Sequence, residues 1–181
     1  SNVFAVDSKI LNNWNSQLPE ANAFKLAKKY EKALDIYLSL EKDLDNLKIT
    51  QKARFDFYYT IQFCYDRLKN TNSPQYIETV KNRILYLNKA YNYLKKTEIS
   101  SKFPSLKDKE IFLLVGLSQE HIVLFKRGLG AKNLKLGEKN ALKALDLPQI
   151  KKKELQTSTI KYGRRALINI VQIYKLKDDY K

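Results

Sequence analysis

Residues 21–45 read ANAFKLAKKYEKALDIYLSLEKDLD, and the spacing of their small and aromatic side chains decides the fold. The apolar positions lie three to six residues apart: Phe24, Tyr30, Ala33, Tyr37 and Leu40. Side chains at such spacing share one face of a helix, while the Lys, Glu and Asp residues between them face water. Alanine at 21, 27 and 33 lets a neighbouring helix approach closely. The stretch therefore predicts two tightly packed antiparallel helices.

This pattern resembles the tetratricopeptide repeat (TPR), a helix-turn-helix unit with small and aromatic residues at fixed places. Ala21, Phe24, Tyr30, Ala33 and Tyr37 stand at those places. The resemblance implies an all-α fold in which antiparallel helix pairs stack as a TPR-like right-handed superhelix of about 7–8 helices. The chain departs from the pattern near Lys28, where a lysine replaces the usual turn glycine, so one continuous long helix remains an alternative.

The rest of the chain can be divided in the same manner into a single TPR-like domain, 1–181. We expect an N-terminal helix within 1–18, a first helix pair at 19–47 with Pro19 in its first turn, and a second pair at 50–96. A third pair follows at 107–148, and a last helix occupies 154–181. In that last helix we place Ile170, Val171 and Tyr174 in the core, and we expect Tyr180 to start a further helix.

Composition indicates a globular helical protein with basic character. The 181 residues are 44% hydrophobic and include only five glycines and four prolines, too few for the many turns of a β-sandwich. The net charge of +15 favours acidic partners, although a lysine-rich bacterial proteome would give the same composition. Because a repeat unit cannot bury its apolar face alone, we expect a continuation beyond Lys181. Because the chain contains no Met, we also expect a signal, an anchor or only an initiator before Ser1. This expectation slightly favours a cell-envelope or periplasmic location over the cytoplasm.

The basic residues are unevenly distributed along the chain. Residues 126–165 contain 12 Lys and Arg against Glu138, Asp146 and Glu154, a net charge of +9. We define the basic stripe as these residues of that stretch: Lys132, Lys135, Lys139, Lys143, Lys151, Lys152, Lys153 and Arg164. It could bind nucleic acid or an anionic membrane surface. Only Tyr162 is available there for base stacking, so a solvated face or an acidic protein partner is favoured.

The sequence contains no constellation that indicates catalysis or a bound metal. His121 is the only histidine and Cys64 the only cysteine, and glycine-rich phosphate loops are absent. Beside Glu120, His121 could act as a base, but on a mostly apolar helix we interpret it as a hydrogen-bonded structural residue. We therefore expect no enzyme, no cofactor and no metal site.

The TPR resemblance implies a concave groove lined mainly by the first helix of each pair. The residues that it places there are Asn22, Lys25, Arg165, Ile168, Asn169, Gln172 and Lys175. Asn169 stands where many repeats use an asparagine to hold a peptide backbone. The Lys and Asn set that clamps the carboxylate of chaperone tails is incomplete.

These observations lead to one main functional hypothesis and two alternatives. The main hypothesis is a non-enzymatic scaffold that binds and stabilises a partner protein or peptide in the groove. The first alternative is a binder of nucleic acid or an anionic membrane surface through residues 126–165. The second is a peptide-sensing module of a larger regulator. The sequence leaves the oligomeric state open.

Overall fold

The computed structural model describes residues 8–151 and 157–179, and over these residues the chain is all-α. Eight α-helices and two short 3₁₀ helices (Leu44–Asn46 and Ile99–Ser101) follow one another without a strand in this described part. The α-helices are α1 (Ser8–Leu26), α2 (Tyr30–Glu41), α3 (Gln51–Leu68), α4 (Tyr76–Thr97), α5 (Leu106–Lys126), α6 (Ala131–Leu145), α7 (Pro148–Lys151) and α8 (Thr157–Asp179). The predicted all-α fold class, with helices packed in neighbouring pairs, is confirmed.

The helices form two compact units that meet in the chain between Tyr86 and Leu87. In the first unit, α1 packs against α2, and α2 packs against α3. Its core is aromatic: the ring of Phe57 lies 5.3 Å from that of Trp14 and 5.9 Å from that of Tyr37. Of the aromatic residues that define the first helix pair, Tyr37 is buried in this core, and Phe24 and Tyr30 pack against it partly buried.

The second unit is built around α5, which is buried on nearly every side. Residues 113–118 are all buried, so no face of this part of the helix is left to solvent. Both α6 and α8 pack against α5, and they also pack against each other. Gly137 of α6 permits a close approach, because a Cβ atom there would lie 3.2 Å from the backbone oxygen of Ser118. α5 is therefore the central helix of this unit.

The N-terminal boundaries differ from the predicted ones at Pro19. We expected one helix to end before Pro19 and a new one to begin there, but α1 runs through Pro19 without interruption. A proline inside a helix leaves the carbonyl four residues earlier without its usual N–H partner. Both Asn15, which carries that carbonyl, and Pro19 lie on the exposed face of α1. Solvent can therefore satisfy the carbonyl, and the helix continues.

The predicted break near Lys28 is present, and its geometry is that of a Schellman motif. Lys28 adopts a left-handed conformation with φ 59°. Its N–H donates to the carbonyl of Lys25 at 3.0 Å, and the N–H of Lys29 donates to the carbonyl of Phe24 at 2.9 Å. These two bonds define the motif, in which the left-handed residue is usually glycine. One continuous helix is thereby excluded.

The same motif ends α5, with glycine at the corresponding position. Gly128 has φ 81°, its N–H donates to the carbonyl of Phe125 at 2.9 Å, and the N–H of Leu129 donates to that of Leu124 at 3.0 Å. The stretches predicted as the second and third pairs, 50–96 and 107–148, contain α3 and α4, and α5 and α6, respectively. The predicted start of the last helix at residue 154 and the proposed role of Tyr180 lie outside the described residues.

The two motifs give a reciprocal prediction for stability. Lys28→Gly should raise the free energy of unfolding by about 0.5–1 kcal/mol, because relief of left-handed strain outweighs the extra unfolded-chain entropy of glycine. Gly128→Lys should lower it by a similar amount, since a Cβ there meets no neighbouring atom and only the backbone strain is added. Urea denaturation of both variants measures the effect, and destabilisation by Lys28→Gly would contradict the assignment.

Candidate functional site

Large apolar side chains are exposed along the outer face of α8. Five large apolar side chains on this helix are exposed: Ile160 (44%), Leu167 (54%), Ile168 (57%), Val171 (68%) and Tyr174 (52%). With 3.6 residues per turn, these positions lie on one side of the helix. Single exposed apolar residues are ordinary, but a contiguous apolar strip marks a candidate interaction surface. We call these five residues the α8 strip.

The opposite face of α8 fixes the direction in which the strip points. Ala166 is fully buried in a cluster with Ile111 and Ala144, which belong to α5 and α6. Ile173 is fully buried in a second cluster with Ile122 and Leu134, from the same two helices. Because Ala166 and Ile173 lie seven residues apart and both are packed in the core, α8 cannot rotate about its axis. The α8 strip is therefore held toward solvent by the packing behind it.

Cations lie on the outer face of α8, both among and beside the residues of the α8 strip. Lys161, Arg164, Arg165 and Lys175 are all exposed on this helix. From Thr157 to Lys177 the helix contains no Asp or Glu. Two acidic groups of other helices have described contacts with α8. Asp108 of α5 accepts a hydrogen bond from the hydroxyl of Thr159 at 3.2 Å, and Glu138 of α6 is paired with Lys177 and lies 3.5 Å from the hydroxyl of Tyr174. The surface thus combines an apolar strip with a positively charged edge.

The predicted groove residues of α8 fall on this face with one exception. Arg165, Ile168 and Lys175 are exposed, and Gln172 is partly exposed. Asn169, expected on the exposed side, is buried, so this part of the prediction is wrong. It lies on the edge of the helix that turns toward α5 and α6, and its Nδ2 has no hydrogen-bond partner among the described residues.

The sequence analysis also misassigned two members of the α8 strip. We placed Val171 and Tyr174 in the core, together with Ile170, but the first two are exposed. Apolar residues occur almost all round α8, so periodicity could not identify which side faces the core. The signal that was available is the row of cations at 161, 164, 165 and 175, which shares the outer face.

Asn22 and Lys25, the remaining predicted groove residues, belong to the first unit. Asn22 is exposed and its Oδ1 accepts a hydrogen bond from the hydroxyl of Tyr37 at 2.6 Å. Lys25 is half-buried and lines a surface depression at the end of α1. That these two residues share one groove with α8 stays a prediction.

The basic stripe is exposed wherever its side chains are described. Lys132, Lys135, Lys139 and Lys143 are exposed on α6, and Arg164 is exposed on α8. The Nζ of Lys143 lies 5.9 Å from the ring centroid of Tyr91. Lys151 ends α7 with no described side chain, and Lys152 and Lys153 lie outside the described residues.

A shallow depression of about 590 Å³ accompanies the stripe on α6. Lysines 135, 139 and 143 share its lining with the acidic residues Glu138 and Asp146 and with the exposed Leu142. Since Glu138 also pairs with Lys177, part of the local positive charge is neutralised within the fold. The depression is consequently less purely cationic than the sequence stripe indicates.

His121 occupies a structural position in the second unit. It is buried, and its Nδ1 lies 2.9 Å from Oδ1 of Asn133. The amide nitrogen of Asn133 donates to the carbonyl of Leu129 at 2.7 Å, which orients Oδ1 toward the imidazole. Nδ1 of His121 is therefore the protonated, donating nitrogen. The ring ties α5 to α6, as expected for a hydrogen-bonded structural residue.

The described residues hold no group of three or more His, Cys, Asp or Glu side chains placed to bind a metal ion. None of the described helices is both long and apolar enough to cross a membrane.

Comparison with known proteins finds no family model, curated protein sequence or solved structure that matches the chain. The TPR resemblance therefore stays a prediction, and the function has to be argued from the geometry of this chain.

The position of His121 predicts a pH dependence of stability. Burial is the main effect and lowers the pKa of His121, against the opposing hydrogen bond to Asn133 and the charge of Glu120. Below about pH 6.5 the unfolded chain takes up a proton that the native state resists, so the free energy of unfolding falls as the pH drops. Urea denaturation at pH 7.5 and 5.5 measures this loss.

His121→Asn provides the control for that pH dependence. Asparagine can still donate to Asn133 but does not titrate, so the stability lost between the two pH values should be smaller than in the wild type. An equal loss in both proteins would show that other groups cause the pH dependence.

Proposed function

We propose that this chain is a non-enzymatic interaction module that binds a partner protein by docking an amphipathic helix on the outer face of α8. The α8 strip is the observation that supports the proposal most strongly. Its five side chains are 44–68% exposed although the helix behind them is firmly packed. Each side chain covered by a partner would contribute on the order of 1 kcal/mol to the free energy of binding, because its apolar surface is removed from water.

The spacing of the strip suits a helical partner. The five strip positions, 160, 167, 168, 171 and 174, lie within roughly 120° of one another around the helix axis, so they form one side of the helix together with Arg164 and Lys175. A second helix can pack its own apolar ridge against such a row, as helices do in helix-in-groove recognition. A flat or irregular apolar partner would leave part of the strip in contact with water.

The cationic edge supports a partner with acidic residues beside its apolar ridge. Lys161, Arg164 and Arg165 lie within about one and a half turns of one another, next to Ile160 and Ile168. Glu or Asp on the docked helix would complement these charges, which favours correct orientation and faster association more than it adds affinity. The net charge of the whole chain, +15, also favours an acidic partner.

Binding of nucleic acid or an anionic membrane surface is the second candidate, and the exposed lysines of α6 favour it. Phosphate binding by Lys132, Lys135 and Lys139 would make affinity fall steeply with salt. The acidic residues Glu138 and Asp146 in the same depression oppose this role. A role as the peptide-sensing module of a larger regulator would use the same α8 surface.

A pull-down from the source cells tests the proposal. Ile168→Gln/Val171→Gln should abolish recovery of the partner at both low and high salt, because it removes apolar contact without changing the net charge. Mass spectrometry identifies the recovered protein, and a synthetic peptide of its acidic amphipathic helix should bind the wild type. Replacing the Glu residues of that peptide with Gln should weaken binding mainly at low salt.

Leu85→Gln/Leu129→Gln is the matched control for this experiment. Leu85 and Leu129 are 48% and 40% exposed and lie outside α8, so the control removes a similar amount of exposed apolar surface. Recovery should be unchanged in the control. If only nucleic acid or lipid is recovered, and this recovery is lost at high salt but unchanged by Ile168→Gln/Val171→Gln, the basic stripe is the binding surface instead.

A further inference from the structure

The first unit carries a separate small pocket where α1 ends and α2 begins, beside α3. Its volume is about 330 Å³. Pockets that hold small ligands range from about 300 to 1,000 Å³, are mostly apolar, and contain a few polar groups that orient the ligand. The pocket therefore has the size for a small molecule or for one large side chain.

Apolar and aromatic side chains form its walls. Leu26 is 81% exposed, more than any other large apolar residue in the described part of the chain. The rings of Tyr30 and Phe63 meet edge to face with centroids 6.0 Å apart, and the guanidinium of Arg67 lies 5.1 Å from the centroid of Phe63. These contacts hold the rings in place, so an apolar ligand would meet a largely preformed surface.

The rim of the pocket is positively charged. Lys25 and Lys28 line it, and among the described residues its lining includes no Asp or Glu. Tyr59 and Thr60 belong to the same lining. An anionic group at this rim would gain two ammonium groups without facing a carboxylate, and the chemistry of the rim therefore selects a negatively charged ligand.

The backbone at Lys28 provides an independent reason to assign a role to this rim. Lys28 holds a left-handed conformation in which glycine would be less strained, as Gly128 shows in the same motif at the end of α5. Strained residues tend to cluster at ligand-binding positions. A lysine at this position places a positively charged side chain in the pocket lining, which a glycine would not do.

We propose that this pocket binds a small apolar body carrying a carboxylate. The apolar body would contact Leu26, Tyr30 and Phe63, and the carboxylate would interact with Lys25 and Lys28. This inference concerns the first unit alone and is independent of the interaction proposed for α8. The same chemistry occurs in free carboxylic acids and at the carboxyl end of a peptide, and the test distinguishes the two.

Titration of the full chain with 3-phenylpropionate, followed by amide chemical shifts, tests the site. We expect saturable shifts centred on Leu26, Tyr30 and Phe63, and binding of the neutral analogue 3-phenylpropionamide about fivefold weaker or more. Tighter binding of N-acetylphenylalanine than of 3-phenylpropionate would assign the site to peptide ends, and the reverse order to free acids. Either order supports the carboxylate site.

Three variants complete the test. Lys28→Gly should weaken binding of 3-phenylpropionate about fivefold while stabilising the fold, so unfolding cannot explain the loss. Leu26→Ser removes a mostly exposed side chain and should weaken the acid and the amide alike. Lys48→Gln, an exposed lysine outside the pocket lining, removes one charge and should leave binding unchanged. Equal binding of acid and amide, or absence of saturable shifts in this region, would overturn the proposal.

Discussion

The burial of α5 is the constraint on which the second unit depends. Because residues 113–118 are buried on all sides, α5 needs covering helices, and α6 and α8 provide them. Gly137 lets α6 come close, while Ala166 and Ile173 fix the rotation of α8. Because these contacts fix which face of α8 is buried, the remaining apolar residues of the helix point outward. The proposed binding surface is thus a consequence of how the core is packed.

In the first unit, aromatic packing and the end of α1 determine the surface. Phe57 contacts both Trp14 and Tyr37, so α1, α2 and α3 share one aromatic core. The Schellman motif at Lys28 ends α1 next to Tyr30 and Phe63 and leaves Leu26 exposed. A single helix end therefore creates both the turn that the first helix pair requires and the small pocket with a cationic rim.

Sequence reasoning predicted the all-α fold class because amphipathic spacing is a local property. It failed at Pro19, where exposure of the unpaired carbonyl allows the helix to continue, and local rules cannot foresee that exposure. It also failed at Asn169, Val171 and Tyr174, because the orientation of α8 depends on contacts with α5 and α6 from distant parts of the sequence. Arg165, Ile168 and Lys175 were placed correctly on the outer face, where the cations gave a signal.

Site-specific photo-crosslinking in the source cells tests the central claim most directly. A photo-reactive amino acid is placed at position 168 or 171 on the outer face of α8, and at the exposed position 129 as a comparison. The account predicts a defined adduct with another protein from 168 and 171 and none from 129. Equal adducts from all three positions, adducts only with a second copy of this chain, or no protein adduct from α8 would contradict it.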